Sequence, residues 1–171
     1  MRYRPLVILV PLLGIVGAPG CASSIKDSQM RVVTAPPAAV RSIAIEVNTD
    51  VPDLSAVPEA ARYVEEYRAH LRACLRDEFA ALGYQVDAGG LVVKATITKL
   101  HFGDTAANVT FGLGIGKDTI DVGVELSDAA GAPYMTFAVH GAAVDKRYSD
   151  LHGVTRGVAK KIAEDVKRAS R

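Results

Sequence analysis

The chain has 171 residues, of which 49% are hydrophobic and 23% charged, a composition that excludes wholesale disorder and collagen-like repetition. Twenty basic and nineteen acidic residues leave a formal charge of +1, so no strong field attracts nucleic acid or an anionic surface. Two cysteines are too few for a disulfide scaffold. We therefore expect one small globular domain with no nucleic-acid partner and no cofactor.

The amino terminus has the pattern of an export signal. Arg2 and Arg4 precede an apolar run over residues 6–16, which is too short for a permanent membrane helix of about 20 residues. Small residues then lead directly into Cys21. This arrangement resembles a bacterial lipoprotein signal, which implies that residues 1–20 are removed and that Cys21 becomes an acylated amino terminus. An ordinary cleavable signal, releasing a soluble periplasmic protein, is the alternative.

Lipidation at Cys21 implies anchoring in the cell envelope. Each buried methylene contributes about 0.8 kcal/mol, and two or more acyl chains hold a protein stably in a membrane. Ala22 stands where the family's inner-membrane retention signal has aspartate, so the resemblance implies the outer membrane, facing the periplasm. Residues 21–39, which include Pro36 and Pro37, are predicted to form an extended tether. The remaining residues, 40–171, are predicted to form a single α/β domain.

The first half of this domain predicts a strand and a long helix. Residues 41–47 alternate apolar and polar side chains, as a half-buried strand does. Pro58 suits the first turn of a helix, and Gly83 suits its end. One apolar stripe runs between them, and a short strand follows over 84–86. Cys74 lies on this stripe, which favours a buried, inert thiol over a nucleophile.

Residues 91–113 predict two strands. Val93, Ala95 and Ile97 of the first strand share one face, but Leu100 and Phe102 have the opposite parity. A bulge near Thr98 and Lys99, or burial of both faces of the strand, would account for the change. Residues 112–117 (GLGIGK) lack the spacing and terminal hydroxyl of a phosphate-binding loop, and the next residues predict a strand rather than a helix. We interpret them as a glycine-rich bend between strands. Its apolar residues Leu113 and Ile115 are candidate partner contacts.

The clearest alternation predicts a hairpin over residues 118–145. Matching the two inward faces places Val124 opposite Phe137 on one face. On the other face the same register sets Asp121 opposite His140, and Glu125 opposite Thr136. Asp121, Glu125 and His140 are therefore candidates for a surface ion pair or a metal site.

A second amphipathic helix is predicted to start after a cap at Ser149 or Asp150. The sequence thus predicts an α+β fold: an antiparallel sheet of about five strands with two helices packed on one face, a two-layer sandwich. The opposite face of the sheet is polar enough to meet water.

Residues 94–137, with strand, glycine-rich bend, strand, turn and strand, resemble the carboxyl-terminal half of small bacterial envelope lipoproteins of unknown function. Residues 128–131 (DAAG) fill the family's Asp-x-x-Gly turn. The resemblance implies fold and location, and it carries over no catalytic residue. We expect a non-enzymatic binding or assembly module with an envelope protein as partner, attached to the membrane through Cys21. A carrier of a small apolar ligand or lipid is the alternative, and a cell-wall inhibitor or hydrolase is a third, weaker reading.

Overall fold

Two amphipathic helices and seven strands make up the described part of the chain, which in this computed structural model comprises residues 23–27, 30–52, 58–101, 118–143 and 151–170. The helices are α1 (Pro58–Ala81) and α2 (Leu151–Ala169). The strands are β1 (Ser23–Asp27), β2 (Arg31–Val32), β3 (Ser42–Thr49), β4 (Gln85–Val86), β5 (Leu91–His101), β6 (Thr119–Asp128) and β7 (Pro133–Ala143).

The strands form one mixed sheet in the order β1-β7-β6-β5-β3-β4, with β2 also beside β7. The prediction of two helices and a sheet is confirmed, but the prediction of about five antiparallel strands is wrong. β3 runs parallel to both β4 and β5. The physical reason is the crossover through α1, which returns the chain to the end of the sheet where β3 began.

The predicted tether contributes two strands to the sheet. β1 pairs antiparallel with β7 from Ser23 opposite Ala143 to Asp27 opposite Val139. β2 continues along the same edge, with Arg31 opposite Thr136. Apolar and polar side chains do not alternate clearly in this segment. Its strands are held mainly by backbone hydrogen bonds, and in β1 the side chain of Ile25 packs partly against the core. The folded body therefore starts well before residue 40.

The predicted details of the hairpin are confirmed. Val124 lies opposite Phe137, Asp121 opposite His140 and Glu125 opposite Thr136. The register between β5 and β6 shifts between Ile97 and Lys99, where the parity change predicted a bulge. Gly83 ends α1 with a φ of 86°, a left-handed conformation that glycine adopts readily.

The core lies between the helices and one face of the sheet. α1 packs on β3 and β4, α2 packs on β1, β6 and β7, and the two helices contact each other. The apolar stripe of α2 is fully or almost fully buried: Leu151, Val154, Val158, Ile162 and Val166. Both helices therefore cover the same face of the sheet, and no described helix packs on the other face.

Candidate functional site

The face of the sheet opposite the two helices, which we call the outer face, carries polar side chains in rows across the strands. Directly paired residues of neighbouring strands point to the same side. One row runs from Lys99 on β5 to Asp121 on β6, His140 on β7 and Lys26 on β1. A base, an acid, an imidazole and a second base thus stand side by side.

A second charged row crosses the sheet nearer the β6–β7 turn. Glu46 on β3 is paired with Lys94 on β5, which is paired with Glu125 on β6. The row continues through Thr136 on β7 to Arg31 on β2. Charges of opposite sign therefore alternate across most of the sheet.

Small side chains separate the two charged rows. Asn48, Thr96, Gly123 and Ala138 are successive partners across β3, β5, β6 and β7. A side chain at Gly123 would have room, because the nearest atoms lie 3.9 Å from an ideal Cβ position. An open groove of about 310 Å³ lies over this part of the sheet, between Thr96, Gly123 and the charged pair Lys94 and Glu125.

The Asp121–His140 pair is formed, whereas the predicted trio is not brought together. Nδ1 of His140 contacts the Oδ1 atom of Asp121, and both side chains are partly exposed. Glu125 lies four residues along β6 from Asp121, about 13 Å at the usual strand rise, and belongs to the other row. Among the described residues no group of three or more His, Cys, Asp or Glu is arranged to hold a metal ion.

Three of the predicted site residues fall outside the described ranges. They are the lipidation site Cys21 and the candidate contacts Leu113 and Ile115. The candidate helix caps Ser149 and Asp150 fall outside them as well. The first described residue after Cys21 is Ser23, where β1 begins.

A polar cluster that was not predicted from the sequence lies between the two helices. Nε2 of His70 lies 3.6 Å from Sγ of Cys74 and 3.2 Å from the carbonyl oxygen of His152. The two imidazoles meet edge to face at 4.5 Å, and His152 lies 3.4 Å from Glu66. The spacing of four residues predicts that His70 and Cys74 lie on the same side of one helix. The sequence does not predict that His152, 82 residues away, lies beside them, because this contact depends on how the two helices pack.

Two further grooves lined by described residues are open to solvent and bear charged side chains. One of about 510 Å³ is lined by Leu82, Lys161, Glu164, Lys167 and Arg168. An apolar carrier requires an enclosed cavity lined mainly by apolar groups. No described helix has the length and apolar character needed to cross a bilayer.

The described residues thus define a small two-layer α+β fold with charged side chains in rows on the outer face of its sheet. Among solved structures the chain resembles the PelC dodecamer of Paraburkholderia phytofirmans in two crystal forms, with TM-scores of 0.52 and 0.50 and 12% and 11% identity. Each match covers 85% of this chain and 98% of the other. A minor lipoprotein of Acinetobacter baumannii matches with a TM-score of 0.34 and 12% identity over 77% of this chain and 91% of its own. No protein-family model and no curated protein sequence matches.

Proposed function

We propose that this chain is a lipid-anchored, non-enzymatic binding or assembly module of the bacterial cell envelope, held at the outer membrane and facing the periplasm. The observation that carries the proposal is the outer face of the sheet. It presents two alternating charged rows on either side of a floor of small residues, and the described helices leave it uncovered. Such a surface offers a flat, specific contact to a protein partner.

The anchor belongs to the same proposal. β1 begins at Ser23, two residues after Cys21. Two residues of extended chain reach about 7 Å, so acyl chains on Cys21 would hold the sheet close to the membrane. The acyl chains, rather than net positive charge, would thus confine the module to the membrane surface, since a formal charge of −1 remains after residues 1–20 are removed.

The surroundings of the potentially reactive side chains among the described residues support a non-enzymatic role. Asp121 and His140 stand on the outer face, with side chains 32% and 45% exposed, and the described residues form no enclosed cleft around them. Cys74 is buried in the core. PelC, which has a similar fold, forms a dodecamer. A protein with this architecture can therefore assemble into a larger complex, which supports an assembly role for this chain.

Affinity capture from membranes tests the proposal. We expect the tagged chain to fractionate with membranes and to bring down the same envelope protein in repeated captures, whereas Cys21→Ser moves to the soluble fraction. Gly123→Arg fills the groove on the outer face at a position with room for a side chain, so it should stay in the membrane fraction and lose the partner. Membrane retention of Cys21→Ser would contradict the anchor, and unchanged capture by Gly123→Arg would contradict the outer face as binding surface.

A further inference from the structure

The two central strands of the outer face carry opposite charges that form few ion pairs within the chain. Lys94 on β5 lies opposite Glu125 on β6, and Lys99 on β5 lies opposite Asp121 on β6. Among the described residues neither Lys94 nor Glu125 has an ion-pair partner, and the same holds for Lys99. Asp121 contacts His140 through Oδ1, and its Oδ2 atom bonds to no described residue. These charges can therefore pair with those of another molecule.

The arrangement of the four charges complements itself. Both bases lie on β5 and both acids on β6, so a two-fold axis that runs parallel to the strands between β5 and β6 would set β5 of one copy over β6 of the other. Lys94 would then face Glu125 of the second copy, and Lys99 would face Asp121 of the second copy. Because a two-fold interface uses the same surface on both copies, each of these pairs forms twice.

Other two-fold axes in the plane of the outer face bring like charges together. An axis across the strands would exchange the two charged rows, so that Lys94 would face Lys99, and Asp121 would face Glu125. An axis parallel to the strands but between β6 and β7 would set Lys99 over Lys26, because these residues stand at the two ends of one row. Like charges that face each other disfavour an interface. The charge pattern therefore selects the axis between β5 and β6.

The middle of the outer face has the shape that this contact needs. Thr96 and Gly123 lie opposite each other between the two charged pairs, so the same axis sets Thr96 over Gly123 of the second copy. An ideal Cβ at Gly123 has no atom closer than 3.9 Å, and Gly123 lines an open groove of about 310 Å³. Sheets that pack face to face lie about 10 Å apart, and side chains of both sheets fill the space between them. The threonine of each copy can therefore enter the groove of the other.

The same axis suits two chains that are anchored in one membrane. A two-fold axis parallel to the strands preserves the direction along them, so Ser23 at the start of β1 lies at the same end of the sheet in both copies. Acyl chains on both Cys21 residues would then enter the same bilayer. An axis across the strands would instead carry one anchor to the far end. Confinement to a membrane also raises the effective concentration of copies, which favours their association.

We propose that the outer face binds a second copy of this chain, with the two sheets face to face about a two-fold axis between β5 and β6. Lys94 pairs with Glu125 across the interface, and Lys99 pairs with Asp121. Thr96 of each copy packs on Gly123 of the other. The inference rests on the function proposed above, because it names the occupant of the binding surface assigned there.

Charge reversal tests this dimer. The full acylated chain is purified in detergent, and its molar mass is measured by light scattering with the detergent contribution subtracted. We expect the wild type to be a dimer. Lys94→Glu and Glu125→Lys should each raise the dissociation constant of the dimer by about tenfold or more, because each change opposes like charges twice. Lys160→Glu, the same reversal at an exposed lysine of α2, should leave the dimer unchanged.

A mixture of the two variants separates contact between copies from pairing within one chain. Lys94→Glu has acids at both positions and Glu125→Lys has bases at both, so each chain keeps like charges side by side. Between the two different chains, however, both pairs have opposite signs. We therefore expect the dimer to return in the mixture, which also shows that both variants are folded.

Three results would overturn the dimer: a monomeric wild type, charge-reversal variants that dimerise as the wild type does, or a mixture that stays monomeric. The first result, together with loss of a captured envelope protein in Gly123→Arg, would assign the outer face to a different protein. The proposed function would then stand without this inference. Cys21→Ser should still dimerise at high concentration, so failure of the dimer is distinct from failure of the anchor.

Discussion

Cys74 shows how one residue's surroundings decide its chemistry. The thiol lies on the buried stripe of α1, and burial is the largest influence on it, raising its pKa above the ordinary value. A hydrogen bond and the charge of Arg156 act in the opposite direction but do not outweigh burial. The thiolate is the reactive form of cysteine, so the raised pKa leaves Cys74 in its unreactive thiol form at neutral pH.

We therefore expect Cys74 to react slowly with iodoacetamide in the folded protein near pH 7.5. Unfolding removes the burial, returns the pKa to its ordinary range and should accelerate alkylation strongly. Peptide mapping by mass spectrometry resolves Cys74 from any other thiol. Equal rates at Cys74 in the folded and the denatured chain would contradict a buried, inert thiol.

At the scale of elements, the close approach of α2 to the sheet depends on Gly141 of β7. An ideal Cβ there would lie 2.6 Å from a methyl group of Val154 and 2.7 Å from one of Val158. Both are short, branched side chains of the helix, so they have little freedom to move aside. Helix and strand can pack at this distance because Gly141 has no side chain.

Gly141→Ala should therefore lower the free energy of unfolding by about 1–3 kcal/mol through overpacking. Gly123→Ala is the matched control, since it makes the same change on the neighbouring strand and the opposite face, where the nearest atoms are 3.9 Å away. The control should alter stability by less than about 0.5 kcal/mol, as surface changes usually do. Denaturant titration of both variants measures the difference, and equal effects would contradict the close helix–sheet contact.

Some features of the strands could be predicted from the sequence, whereas others could not. Alternation in β6 and β7 tells which side chains share a face, and with a short turn between the strands that is enough to pair Asp121 with His140. Alternation does not tell which strands are neighbours across a long connection, so the parallel pairing of β3 with β5 was missed. β1 was missed because a strand of five residues held mainly by backbone bonds leaves little pattern. The contact of His70 with His152 likewise depends on packing between distant helices.

At the scale of the whole molecule, the proposed anchor lies at one end of the strands and the proposed binding surface lies along them. Ser23 is paired with Ala143, and the neighbouring strand ends carry Thr119 and His101, so these residues mark the end of the sheet nearest to Cys21. From there β7 extends over 11 residues, about 36 Å. The outer face runs along the strands from this end, so we expect partners to reach it while acyl chains on Cys21 hold the domain at a membrane.

The central claim is the lipid anchor at Cys21, and intact-mass spectrometry of the mature protein purified from bacterial membranes tests it most directly. The account predicts a chain that begins at Cys21 and carries the added mass of its fatty acyl groups, with fragmentation assigning that mass to residue 21. A mature chain that begins elsewhere, or one that begins at Cys21 with no added acyl mass, would contradict it.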